Sequence, residues 1–275
     1  MNNLIFIPAK QPEDWRHLLA EPSKHWRDGY SAKSLALSWQ GNDGFPPEVR
    51  RVFENSDFAI FINAELLLAI PEHQVPLPGG GKPSQNDLFV LAKGVGQLIS
   101  LAVEGKASEP FGPLVSDWFK TPSEGRNKRL TFLCKTLGLK PDRIQPVRYQ
   151  LLHRTASAII EAQRFNAQNA LMMVHSFSPA NEGLDDFTKF AGLFNAKAEP
   201  DKILYAGQVN GIDLYLGWVK GEVPRDQQDP VEGAVTASKC RCCGHHEVGI
   251  QDAAGNYRQL APGEKIMVIE EQKPD

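Results

Sequence analysis

The chain has 275 residues, 41% hydrophobic and 23% charged, with a net charge of −3, the balance of an ordinary globular protein able to bury a large core. No apolar run approaches the roughly 18–20 residues that span a bilayer, and the opening Leu4-Ile5-Phe6-Ile7-Pro8 is short and lacks a basic leader, so the expectation is a first strand rather than a secretory signal, with no membrane partner. Three of the four cysteines sit in Cys240-Arg241-Cys242-Cys243, which excludes a disulfide framework and points to a cytoplasmic protein.

Residues 13–40 read as helix broken at Pro22 and Gly29, with a serine cap and good helix formers over 31–39. Pro46-Pro47-Glu48 starts a short helix carrying Val49, Val52 and Phe53 on one face. The apolar run 65–70 ends in a strand, 79–84 is a glycine-rich loop, and 87–93 and 98–104 form two strands about a Gly94-Val95-Gly96 turn. Helical spacing returns over 126–137, stopping at Gly138, and over 147–165, where Leu151, Leu152, Ala156, Ile159 and Ile160 make an apolar face. A buried strand at 170–177, a helix at 184–194 and strands at 203–205 and 212–219 follow. This order predicts an α/β domain over residues 1–222, a mixed sheet with helices on both sides. Residues 223–275 read as a Pro/Gly/Asp-rich linker and a small hairpin module about Gly255-Asn256.

Residues 118–164 carry ten basic and three acidic side chains, a local excess of +7 in an otherwise acidic chain. Such a stretch fits either a polyanion-facing surface or solvated helix faces that happen to be basic.

Asp87 opens one of the paired strands, and Glu104-Gly105-Lys106 closes the other. Strand side chains alternate, so Glu104 and Lys106 share a face, and a turn near Val95 sets Asp87 opposite residues 102–104. Two carboxylates are hard ligands of the kind Mg²⁺ takes alongside water and phosphate, and a lysine beside them can orient an attacking water and stabilise a charge-rich transition state. Gly105 would let a substrate or ion approach the main chain. Glu-x-Lys alone is weak, since Glu271-Gln272-Lys273 repeats it. A plain salt bridge is the alternative for either copy.

The order helix, three strands, helix, strand, with Asp87 on the second strand and Glu104-x-Lys106 on the third, resembles the PD-(D/E)XK restriction-endonuclease-like superfamily. Pro71-Glu72-His73, Ser84-Gln85-Asn86-Asp87 and Val103-Glu104-Gly105-Lys106, followed by Tyr149-Gln150-Leu151-Leu152-His153-Arg154-Thr155, resemble an uncharacterised bacterial family within it. The likeness covers roughly residues 20–220, with Asn86 where the superfamily has proline. It implies a restriction-endonuclease-like core that cleaves DNA with Mg²⁺ (or Mn²⁺), in defence or repair. Asp87 and Glu104 would hold the metal and Lys106 would be the catalytic lysine. The superfamily includes inactive relatives, so a non-catalytic binding or assembly module is the alternative.

An extra acid often comes from the first core helix in this superfamily. Glu48 and Glu54 are candidates, as is Glu72 before Asp87, and Glu48 is favoured. Gln150 and Arg154 lie one helical turn apart. Gln150 is assigned to the catalytic site as in a related subgroup, and Arg154, with Arg148, Lys128 and Arg129, to DNA. A polar stripe along the sheet edge is the alternative for that pair, and His153 faces elsewhere as a packed side chain. Enzymes of this kind commonly dimerise to cut both strands, which makes a homodimer an expectation of the resemblance alone.

Other motifs are set aside. Residues 79–84 are not a phosphate-binding loop, because Pro83 separates Lys82 from Ser84 and a strand follows. No hydrolase triad has support. Cys240-Arg241-Cys242-Cys243-Gly244-His245-His246 contains one knuckle of a zinc ribbon. Cys240 and Cys243 could hold Zn²⁺ with His245, His246, a ligand from elsewhere or a second subunit. Metal-free cysteines are the alternative.

Overall fold

Prolines open the early helical segments, where a missing N–H costs nothing and φ is already suited. A 3₁₀ turn starts at Pro12, helix α1 is Pro22–His25 and α3 is Pro47–Glu54, with α2, Ser31–Gln40, between them. The computed structural model describes residues 9–222 and, beyond them, the backbone of 231–232, 234–239, 246–251, 257–259 and 266–267. The strand expected at residues 4–8 lies outside the described residues. The chain divides into two units, Met1–Val223 and Pro224–Asp275.

In the first unit, strands β1 (Glu65–Val75), β2 (Ser84–Gly94) and β3 (Gln97–Lys106) form an antiparallel meander. Helices α4 (Val115–Trp118), α5 (Glu124–Leu137) and α6 (Tyr149–Phe165) then carry the chain to β4 (Asn169–Ser176), parallel to β3. Helix α7 (Leu184–Ala191) leads to β5 (Lys202–Val209) and β6 (Ile212–Lys220). The six-stranded sheet runs β1-β2-β3-β4-β6-β5, with β4 parallel to β6 and β5 antiparallel to it. A parallel pair needs a long crossover, and that crossover lays α5 and α6 on one face.

Alternation sorts the core into two layers. Ala170, Met172 and Val174 pack with Leu133, Leu151, Ile159 and Phe187 on the α5, α6 and α7 side. Leu171 and Met173 turn to the other side, against Trp39, Val49 and Phe53 of α2 and α3. Every residue of β4 is buried, as expected for a central strand covered on both faces. The sheet is thus a mixed one flanked by helices.

Local chemistry sets the boundaries. Ser123 Oγ accepts the Arg126 N–H to cap α5, and Gly138 ends it at φ 66°. The β2–β3 turn places Val95 and Gly96 at φ 46° and 78°, the positive values that a two-residue hairpin loop requires. Strand β1 runs five residues beyond the run expected to end it, through Pro71, which an edge strand tolerates.

In the second unit β8 (Ala234–Lys239), β9 (His246–Gln251) and β10 (Tyr257–Gln259) form an antiparallel sheet. Strands β7 (Val231–Glu232) and β11 (Ile266–Met267) pair in parallel. Cys240, Cys243 and His245 lie outside the described residues, and of His246 only its backbone pairing with Lys239 is described. Among the described residues no helix is long and apolar enough to cross a membrane.

Gly94 shows how closely the N-terminal layer meets the sheet: a Cβ there would lie 1.8 Å from the Ile60 carbonyl oxygen. Gly94→Ala is expected to destabilise the first unit by about 1–3 kcal/mol through overpacking. Chemical denaturation followed by tryptophan fluorescence measures this, because all five tryptophans lie in that unit.

Candidate functional site

The β2–β3 ladder runs from Gly94–Gln97 to Leu88–Val103 and stops. Strand β3 continues beside β4, pairing Glu104 with Val174 and Lys106 with Ser176. Where the ladder ends, the Gly105 N–H donates to Asp87 Oδ2 at 2.9 Å, so a side chain satisfies an amide that β2 no longer reaches. The open face of Gly105 is covered by α2: a Cβ there would meet Ser31 O and Leu35 Cβ at 3.4 and 3.5 Å. Helix α2, not a substrate, fills that space, contrary to expectation.

Glu104 and Lys106 project to the α6 side. Glu104 is buried, 1% exposed, and takes three donors: Lys106 Nζ at 2.7 Å and Gln150 Nε2 at 2.6 Å on Oε1, and Arg154 Nε at 2.5 Å on Oε2. The Gly112 N–H donates to Gln150 Oε1 at 3.3 Å, which turns the amide nitrogen toward Glu104. Arg154 Nη2 lies 3.6 Å from Asp87 Oδ1, so one guanidinium spans both carboxylates.

A third carboxylate belongs here. Glu72 stands opposite Asp87, between the pairs Pro71–Leu88 and His73–Asn86, and adopts φ 53°. Gln85 Nε2 donates to its Oε2 at 2.5 Å. A cleft of about 530 Å³ opens on Glu72, Asp87, Glu104 and Lys106, with Gln150 and Arg154 in its wall.

The three acids do not titrate alike. Burial alone would raise Glu104, but the Arg154 and Lys106 cations outweigh it and bring the carboxyl down to about 2. Burial and then the Glu104 charge push Asp87 up to about 7, although Arg154 opposes this. Burial and the Asp87 charge raise Glu72 to about 8. Three carboxylates against two cations leave an anionic excess that a proton or an added cation can relieve.

Not every expected residue reaches the cluster. Glu48 lies across the sheet on the α2 side, where Ser38 Oγ donates to it at 2.9 Å and His175 Nε2 stands 3.1 Å away. His175 points to that side because it alternates with Val174 on β4. Arg148 pairs with Asp186 at 2.8 Å and donates to Gly112 O. Arg129 is buried and donates to the carbonyls of Leu77, Pro78, Gly80 and Lys82, holding the glycine-rich loop. Lys128 is exposed on α5, and Glu54 is exposed on α3. His153 takes a 2.8 Å hydrogen bond with Ser84 Oγ through Nδ1, and burial followed by the Arg154 charge holds it well below the usual histidine range. Glu72, set behind Glu48 in the sequence reading, enters the site through strand register, and Gln85 carried no signal of its own.

Asp87, Glu104 and Glu72 offer the hard oxygens and the negative excess that suit Mg²⁺, which keeps several waters and needs one or two carboxylates. Among the described residues no three His, Cys, Asp or Glu side chains already form a metal cluster. A divalent ion would therefore meet Arg154 at Asp87 and Glu104.

The chain belongs to the family described as Domain of unknown function (DUF6946), whose model matches residues 8–223. No curated protein and no solved structure matches it.

The raised acids fix a pH dependence. Between about pH 4 and 8 the unfolded chain has ionised Asp87 and Glu72 while the folded chain still binds protons there, so stability falls as pH rises. The lowered Glu104 acts oppositely below about pH 4.5, and the lowered His153 acts oppositely up to about pH 6.5, one group against the two raised acids. The midpoint of thermal unfolding is expected to drop from pH 5 to 8, and Glu72→Gln with Asp87→Asn to flatten that slope.

Proposed function

We propose that this cleft hydrolyses phosphodiester bonds of DNA with Mg²⁺ or Mn²⁺, within a nuclease-like core of the PD-(D/E)XK kind. The observation that carries the reading is the meeting of Asp87, Glu104 and Lys106, from two strands, at one cleft beside Gln150. Asp87 and Glu104 would hold the ion, with Glu72 beside Asp87 as a further carboxylate. When bound, the ion lowers the pKa of water and offsets charge on the phosphate.

Lys106 carries a buried ammonium 2.7 Å from Glu104 Oε1, packed over the Phe111 ring at 4.9 Å. It can orient the attacking water and stabilise negative charge growing on the phosphate oxygens. Arg154 and Lys106 keep Glu104 ionised, and Gln150 helps hold it in place. Asp87, poised near neutrality, can give up its proton when a cation approaches.

One observation favours a non-catalytic module. Arg154 spans Glu104 and Asp87, so an internal cation stands where the ion would bind. The two readings separate in a cleavage assay on supercoiled plasmid, single-stranded circular DNA and RNA. Hydrolysis predicts nicking of DNA that needs Mg²⁺ or Mn²⁺ and falls about 100-fold or more in Lys106→Met. No metal-dependent cutting of any substrate, or equal cutting by the variant, favours the module.

A further inference from the structure

A second cleft, of about 420 Å³, adjoins the acidic one and shares Lys82, Pro83, Tyr149 and His153 with it. Its character is opposite. Lys82, Arg126 and Arg129 line it, and no described carboxylate does. Arg129 is occupied by the loop carbonyls and Arg126 Nη1 donates to Thr121 O at 2.7 Å, but neither Lys82 nor Arg126 has a carboxylate partner among the described residues. Trp118 stacks on Tyr149 with ring centroids 4.0 Å apart at 8°, and the Arg126 guanidinium lies 5.5 Å from the Trp118 centroid. One wall is thus a flat aromatic and guanidinium stack.

The far end of this groove is closed by main chain. A Cβ on Gly79 would lie 2.1 Å from Gly125 O, so the glycine-rich loop and the start of α5 touch backbone to backbone. The space suits a small ligand. A duplex could touch only its rim.

We propose that this groove binds one nucleotide of single-stranded nucleic acid, next to the bond placed at Asp87, Glu104 and Lys106. The proposal rests on the reading of that neighbouring cleft as a phosphodiester site. Lys82 takes the phosphate, which matches a basic groove without acids. The Arg126 guanidinium, which lies over Trp118 at the end of the Trp118–Tyr149 stack, gives the base a planar surface. A base offers its face only when unpaired and unstacked. The shared wall lets a strand pass from cations to carboxylates, so the assignment concerns a strand end or unpaired segment rather than intact duplex.

The test reads binding without cleavage. The full chain is titrated into a fluorescent oligo-dT and a duplex of equal length, in EDTA, over a range of KCl concentrations. Wild type is expected to bind the single strand more tightly than the duplex. Lys82→Ala with Arg126→Ala is expected to weaken binding and reduce the slope of log K against log[KCl] by about 0.7, the loss of one single-strand phosphate contact. Lys82 is exposed and Arg126 partly so, and the variant's unfolding midpoint confirms that its fold is kept. An unchanged slope in a folded variant, no binding by wild type, or equal affinity for duplex overturns the proposal. Because no divalent ion is present, loss of binding in the variant upholds the groove even if plasmid is never cut, and cutting with an unchanged slope overturns the groove alone.

Discussion

The Glu104 carboxylate, buried and bound by Lys106, Gln150 and Arg154, is the contact around which this end of the molecule is organised. It joins β3 to α6, which otherwise meet through apolar side chains and the Ser100 Oγ–Ala158 O hydrogen bond. Removing one side of such a pair leaves a buried charge uncompensated, at a cost of about 3–5 kcal/mol. The same arithmetic governs its neighbours. Burial first, and the neighbouring carboxylate charge second, make Asp87 and Glu72 keep protons that ordinary acids lose. Once those protons leave, three carboxylates face two cations at the cleft, a state receptive to an added cation whatever chemistry follows.

The rest of the fold serves this arrangement. The β2–β3 hairpin delivers Asp87 and Glu104 to the same level, and the early end of their ladder lets Asp87 turn to the Gly105 amide. The long crossover from β3 to β4 brings Gln150 and Arg154 down onto Glu104. Arg129 gathers the carbonyls of the glycine-rich loop and so shapes the basic groove beside the acidic cleft. The positive charge of residues 118–164 is therefore divided: some of it is spent inside the fold, and some remains at the surface.

Much of the architecture was legible beforehand, for local reasons. Alternating apolar residues about Gly94-Val95-Gly96 predicted the hairpin and the shared face of Glu104 and Lys106, because strand period and turn chemistry act within a few residues. Gln150 and Arg154 could be placed together because i and i+4 share a helix face. Glu48 misled, since a glutamate on a short helix carries no mark of which sheet face that helix will cover. Arg148 and Arg129 misled likewise: a basic residue looks the same in sequence whether it meets a phosphate, Asp186 or a loop carbonyl.

By itself the sequence determined most helices and strands of the first unit, several of their proline and glycine boundaries, and the shared strand face of Glu104 and Lys106, all consequences of backbone geometry and side-chain period. Only the tertiary structure decided that Glu72 faces Asp87, that Arg154 spans two carboxylates, and that Glu48 belongs to a different layer with His175. These are meetings between residues tens of positions apart. Their energies depend on burial and on the summed charge around each group, quantities that exist only once the chain has folded.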